Sequence, residues 1–163
     1  MKDEATARAD FDAAVAADPQ LAMSVAALYA EQGWFERSLD LWDQWIASHP
    51  RDDRLPDALN GRCWARALWG RDLDKALKDC ERAVRMSRIS SFLDSRGLVR
   101  LRLGQYRQAI ADYTAALKDN PRQAWSLYGR GVAEIKSGDK DKGEADIEAA
   151  TAVDPRLPML AKK

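Results

Sequence analysis

One phrase recurs along this chain and limits what it can fold into. It reads A-D-F-D-A-A-V-A-A-D-P over residues 9–19, A-D-Y-T-A-A-L-K-D-N-P over 111–121 and A-D-I-E-A-A-T-A-V-D-P over 145–155, with a degenerate K-D-C-E-R-A-V-R-M at 78–86. A second phrase precedes it, as L-N-G-R-C at 59–63, L-D-S-R-G at 93–97 and L-Y-G-R-G at 127–131. A period of 34 residues separates Arg62 from Arg96, Arg96 from Arg130, Gly104 from Gly138 and Pro121 from Pro155. Units of this size cannot bury their apolar faces alone; they stack, each one covering its neighbour.

The physics of one unit can be read from residues 90–121. Leu93, Gly97, Leu98 and Leu101 recur at helical spacing, so they line one face of an amphipathic helix. Gly104 ends it, because glycine adopts the left-handed conformation that closes a helix without penalty. Tyr106, Ala109, Ile110, Tyr113, Ala116 and Leu117 mark a second helix, and Asn120-Pro121 stops it. Two helices joined by so short a turn must be antiparallel neighbours. Gly97, Ala109 and Ala116 let the backbones approach, and Tyr106 and Tyr113 fill the space between hairpins.

These residues, Gly97, Gly104, Tyr106, Ala109, Tyr113, Ala116 and Pro121, with their echo in Gly131, Gly138, Ile147, Ala150 and Pro155, closely resemble the tetratricopeptide repeat family. The resemblance implies an all-α fold: a right-handed superhelical solenoid of stacked antiparallel helical hairpins, whose concave wall is made by the first helix of each. It also implies no catalytic residue. The expected organisation is one solenoid domain. Residues 1–18 form an N-terminal helix, half a repeat, and 19–50 a divergent repeat with Gly33-Trp34-Phe35 at its turn. A charged loop follows at 51–56. Repeats at 56–88 and 90–121, a C-terminal capping repeat at 124–155 and a tail at 156–163 complete the chain.

Comparing the repeats with one another adds detail. The last three carry an arginine in the first helix and an aspartate in the second: Arg62 with Asp79, Arg96 with Asp112, Arg130 with Asp146. The divergent hairpin has neither, with Val25 and Leu41 at those places. Charges that come and go together read as a partly buried ion pair stapling helix to helix, since a guanidinium fork suits a carboxylate; the alternative is two independent surface charges. Asp10, in the first helix, has no matching arginine before it, which suggests either a segment of a longer protein or a solenoid begun with a half repeat. Where other repeats place Tyr106, Ile110 and Leu117, the last has Lys140, Glu144 and Thr151. A polar outer face of this kind suits a terminal repeat, so the solenoid is expected to end near Asp154. Leu157, Met159 and Leu160 then either fold back over the end or fray.

The inner wall should be lined by Met23, Asn60, Trp64, Asp94, Leu98, Arg102, Trp125, Tyr128 and Val132, first-helix residues that point away from the second helix. Aromatic and arginine side chains dominate binding hot spots, which suits recognition of a partner peptide or protein segment. The opposing reading packs Trp64 and Tyr128 between hairpins and lays Trp125 over Pro121. Some family members clamp the C-terminal carboxylate of chaperones with lysine and asparagine. Asn60 is suitably placed, but Met23, Ala27, Asp94 and Leu98 stand where the lysines are needed, which speaks against that ligand. Trp34, Trp42 and Trp45 crowd the divergent hairpin as core.

Catalytic readings find little. His49, the single histidine, lies in a His-Pro turn and reads as solvated or capping. No triad, glycine-rich phosphate loop or zinc-ligand spacing is present, so no enzyme activity, cofactor or metal is expected. Cys63 occupies the place of Gly97 and Gly131, and Cys80 that of Tyr113 and Ile147. Both read as inert core thiols, although two cysteines in one hairpin can approach and pair in an oxidising compartment. Lys plus Arg and Asp plus Glu both number 26, so neither nucleic acid nor an anionic membrane is favoured as a partner. Lys162 and Lys163 read as a solvated tail. The start, Met1-Lys2-Asp3-Glu4, leads into an acidic amphipathic segment instead of a signal peptide. A complete chain would be cytoplasmic, and one whose signal was removed periplasmic or secreted. The wealth of alanine, arginine and aspartate fits a GC-rich bacterial genome. The expected function is a non-catalytic protein–protein interaction scaffold. The alternatives are an accessory domain of a larger, possibly enzymatic protein lying N-terminal to this chain, and a structural module forming a homodimer through the N-terminal helix.

Overall fold

The computed structural model describes residues 4–157. The start at Met1 to Asp3, and Met159, Leu160, Lys162 and Lys163 in the tail, lie outside them. Among the described residues the chain forms only helices: α1 (Glu4–Ala17), a 3-10 turn (Pro19–Leu21), α2 (Ala22–Glu31), α3 (Phe35–Ser48), α4 (Leu55–Trp69), α5 (Leu73–Met86), α6 (Ser90–Arg102), α7 (Tyr106–Asp119), α8 (Ala124–Ser137) and α9 (Lys140–Val153). They pair as α2/α3, α4/α5, α6/α7 and α8/α9, and each second helix also packs on the first helix of the next hairpin. The turns within hairpins pass through Gly33, Gly70, Gly104 and Gly138, all at positive φ. Asp72 takes the same region at φ 52, the only non-glycine described residue to do so. The first helices touch one another along the stack, α2 with α4, α4 with α6 and α6 with α8. They therefore stand on the tighter, inner curve.

The stacking contact repeats in register. Tyr113 of α7 lies against Gly97 of its own hairpin, where a Cβ would stand 3.0 Å from the ring, and even closer to Gly129 of the next one. Trp42 of α3 lies in the same way over Gly61 of α4. Trp42 and Trp45 are core residues, each 4% exposed, with Leu55, Leu59 and Phe92 in the same cluster. Trp34 takes another part. Its ring packs with Tyr29 and Phe11, and the Arg8 guanidinium lies 4.8 Å above it. These contacts fasten α1 to the divergent hairpin, together with a Tyr29 hydroxyl that donates to Asp12 at 2.7 Å and an Arg37–Asp12 ion pair. Burial, with Asp12 adding to it, pushes the Tyr29 phenol up to about 12.

The cysteines correct the expectation of free core thiols: Cys63 and Cys80 form a disulfide, with Cα atoms 5.6 Å apart and no exposure. The reason lies in the register. The equivalent pair in the last hairpin, Gly131 and Ile147, is so close that a Cβ on Gly131 would stand 2.9 Å from Ile147. Cysteines at these two places face each other directly. His49 closes α3, its ring stacked on Trp45 at 4.5 Å and its Nδ1 3.0 Å from the Trp45 carbonyl oxygen. At the far end Leu157 folds back and is fully buried with Leu117, Leu127 and Ala150.

A polar layer runs through the helix interfaces. The Arg62 fork donates to both oxygens of Asp79 at 2.8 and 2.7 Å, and Arg66, one turn later, joins it there. Arg96 donates to both oxygens of Asp112 at 2.9 and 2.6 Å, and Arg100 donates to the same group at 2.8 Å. The layer also reaches back to preceding hairpins, through Arg62 to Asp43 at 2.6 Å and Arg100 to Glu81 at 3.6 Å. In the last hairpin Arg130 holds Asp146 alone, because Glu134 stands where Arg66 and Arg100 stand. Glu134 leaves its Oε2 buried without a hydrogen bond, and burial, with the Asp146 charge, pushes its carboxyl up. Removing Asp112, which is 4% exposed, strands the Arg96 guanidinium and leaves Arg100 only the more distant Glu81. Asp112→Ala should lower the unfolding free energy by about 3–5 kcal/mol, and the exposed Asp119→Ala by less than about 0.5 kcal/mol. Denaturant curves of the two variants measure the difference, and equal midpoints would show that the layer holds nothing together.

Candidate functional site

The inner wall encloses a groove of about 810 Å³. Its sides come from α4 through Trp64 and Leu68, from α6 through Asp94, Leu98, Leu101 and Arg102, and from α8 through Trp125, Tyr128 and Val132. Positions four apart on one helix share a face, which is why Trp64 and Leu68, Asp94 and Leu98, and Tyr128 and Val132 look into the same space. The ring of Tyr113, wedged from behind between α6 and α8, supplies part of the floor, and Ala30, Glu31, Phe35 and Trp69 close one end. Phe35 and Trp69 stack there with centroids 5.9 Å apart, under an Arg71 guanidinium 4.6 Å from the Trp69 ring.

Of the wall residues expected from the sequence, Trp64, Asp94, Leu98, Arg102, Trp125, Tyr128 and Val132 line this groove, and Met23 and Asn60 do not. Met23 is taken up by the apolar cluster around Trp42 and Leu59. Asn60 is half-buried a turn before Trp64, its Oδ1 without a hydrogen bond. Sequence reasoning missed Leu68, Leu101 and Trp69. The first two repeat the Trp64 and Leu98 faces one turn on, a signal the helical spacing carried. The Phe35–Trp69 contact joins two hairpins and has no local signature.

The groove is apolar and aromatic, with few charges. Arg102 and Glu31 are exposed at its rim, and the Arg102 guanidinium reaches the turn at Gly70. Asp94 is different, being only 8% exposed. The Ser126 hydroxyl, itself fully buried, donates to Asp94 Oδ1 across the α6–α8 interface. No ion pair to Asp94 exists among the described residues. Burial pushes its carboxyl up, and the Ser126 hydrogen bond offsets part of that. Tyr113 is pushed well above its ordinary value, first by burial and then by the Asp94 and Asp112 charges. Among the described residues no group of three histidine, cysteine or acidic side chains is placed to hold a metal ion, and no helix is long and apolar enough to cross a membrane.

The raised carboxyl has a consequence for stability. The folded chain holds the Asp94 proton more tightly than the unfolded chain does. The penalty on the charged form is therefore complete above the folded value, and vanishes as pH falls below the ordinary carboxylate range. Asp94→Asn keeps an oxygen for Ser126 and removes the charge. Melting at pH 7 should rise by about 2–4 °C, on the order of 1 kcal/mol for a chain of this length, with no gain near pH ~3 where the native carboxyl is already neutral. A gain of the same size at both pH values would mean that charge is not the cause.

Residues 95–158 match the tetratricopeptide repeat family model. No curated protein matches the chain by sequence. Among solved structures, the chain is similar to TTC0263, a thermophilic tetratricopeptide-repeat protein of Thermus thermophilus, with a TM-score of 0.73 at 21% identity over 83% of this chain and 74% of that one. It is also similar to MamA of Desulfovibrio magneticus RS-1, with a TM-score of 0.68 at 22% identity over 84% and 76%. A tetratricopeptide repeat protein of Parabacteroides merdae gives 0.66 at 19% identity over 84% and 54%. The fold is thus the right-handed solenoid of stacked hairpins that these proteins share.

Proposed function

We propose that this chain, a tetratricopeptide-repeat protein, is a non-catalytic scaffold that binds a segment of a partner protein in its concave groove. One observation carries the reading: the groove holds large aromatic side chains that keep surface open to it, including Tyr128, which also packs against the cluster around Leu117 and Leu127. Trp125 is 46% exposed, and Trp64 and Tyr128 are half-buried on the same wall. Rings in such a position offer wide contact at small entropic cost, and tryptophan, tyrosine and arginine are the residues on which interface energy concentrates. An extended or helical segment laid along α4, α6 and α8 would cover them. The experiment is a pull-down from the source cell's lysate with this chain as bait, beside a bait carrying Trp64→Ala and Tyr128→Ala. The expected outcome is a protein captured by the first bait and depleted at least about tenfold by the second. Equal capture by both baits would place recognition elsewhere on the solenoid.

A further inference from the structure

The groove contains one buried charge, Asp94, that the fold leaves without a counter-charge among the described residues. Elsewhere the chain surrounds its buried aspartates with cations, two arginines each for Asp79 and Asp112. Asp94 is buried to a similar degree, 8% exposed like Asp79, yet among the described residues its only hydrogen-bond partner is the neutral hydroxyl of Ser126. A single neutral donor does not offset the desolvation of a carboxylate, as the upward shift of its carboxyl records. The nearest basic side chain of the wall, Arg102, lies two turns along α6 and is folded over the turn at Gly70. Trp64, Trp125 and Tyr128 share the groove with Asp94, and the faces of such rings attract cations. Leu98 and Val132 make the adjoining wall apolar.

We infer that Asp94 is the subsite for a cationic side chain of the groove's occupant, so that the partner segment carries a lysine or arginine flanked by apolar residues. This rests on the groove reading above and sharpens it. Entry of the ammonium or guanidinium group supplies the ion pair the fold omits, while the rings cover the alkyl stem. The same logic rejects acidic segments, because a second carboxylate beside Asp94 would face an unscreened like charge.

The probe is a random twelve-residue peptide library displayed on phage, panned against the full chain. Selected peptides are synthesised and titrated against the wild type, Asp94→Asn and the Trp64→Ala, Tyr128→Ala variant. The expected result is a lysine or arginine at a common place in the selected peptides, with Kd raised about tenfold or more by Asp94→Asn. Replacing that basic residue by norleucine should cost the same, with little further loss when both changes are combined. Because Asp94→Asn is expected to melt no lower than the wild type, a loss of binding cannot be ascribed to unfolding. Peptides that need Trp64 and Tyr128 but carry no basic residue, or that bind Asp94→Asn equally well, overturn the cation subsite and leave the groove reading standing. Peptides indifferent to Trp64 and Tyr128, or none enriched at all, overturn both.

Discussion

The spacing of neighbouring hairpins rests on one recurring contact: a bulky side chain of a second helix set against bare backbone on a first helix. Tyr113 is its fullest form, with Gly97 on one side and Gly129 on the other. The glycines allow α6, α7 and α8 to approach to ring thickness, and the ring fixes how far apart neighbouring hairpins stand. Trp42 over Gly61 repeats the device between α3 and α4. In the α4/α5 hairpin the same positions hold Cys63 and Cys80, and the contact becomes a covalent bond. Closing a short loop in this way constrains the unfolded chain by about 3 kcal/mol.

The contact also shapes the groove. Because Tyr113 passes between α6 and α8 to the inner side, its ring belongs to the core and to the groove floor at once. The polar layer lies apart from this. Arg62 and Arg66 around Asp79, and Arg96 and Arg100 around Asp112, set which helices meet, and their links to Asp43 and Glu81 tie one hairpin to the next. Buried ion pairs add little net stability over apolar packing, but misplacing one is costly. Glu134 shows where the layer stops: the second arginine is absent and an oxygen is left unpaired.

Much of this was legible because repetition makes the chain its own alignment. The 34-residue period sets out the hairpins, and the glycines at 70, 104 and 138 mark turns that do adopt positive φ. The paired appearance of Arg96 with Asp112 pointed to a contact for the same reason. What was hidden depends on geometry between unlike repeats. Cys63 and Cys80 could be placed as neighbours, yet spacing does not say whether two neighbouring thiols are oxidised. Met23 shares a register position with groove residues and packs instead against the tryptophan-rich core around Trp42 and Trp45. The isolation of Asp94 was invisible, since it depends on where the side chains around it turn, and Arg102 turns towards Gly70.

The central claim is that the ring of Tyr113 and the bare backbone of Gly129 together set the spacing of the wall that forms the groove. A double-mutant cycle tests it directly: Gly129→Ala measured by thermal unfolding in the wild type and in Tyr113→Ala. An alanine in a helix gains about 1 kcal/mol over glycine when nothing obstructs it. The account predicts that Gly129→Ala destabilises the wild type by about 1–3 kcal/mol through overpacking against the ring, and stabilises the chain once the ring is gone. The same effect in both backgrounds, of either sign, would contradict it.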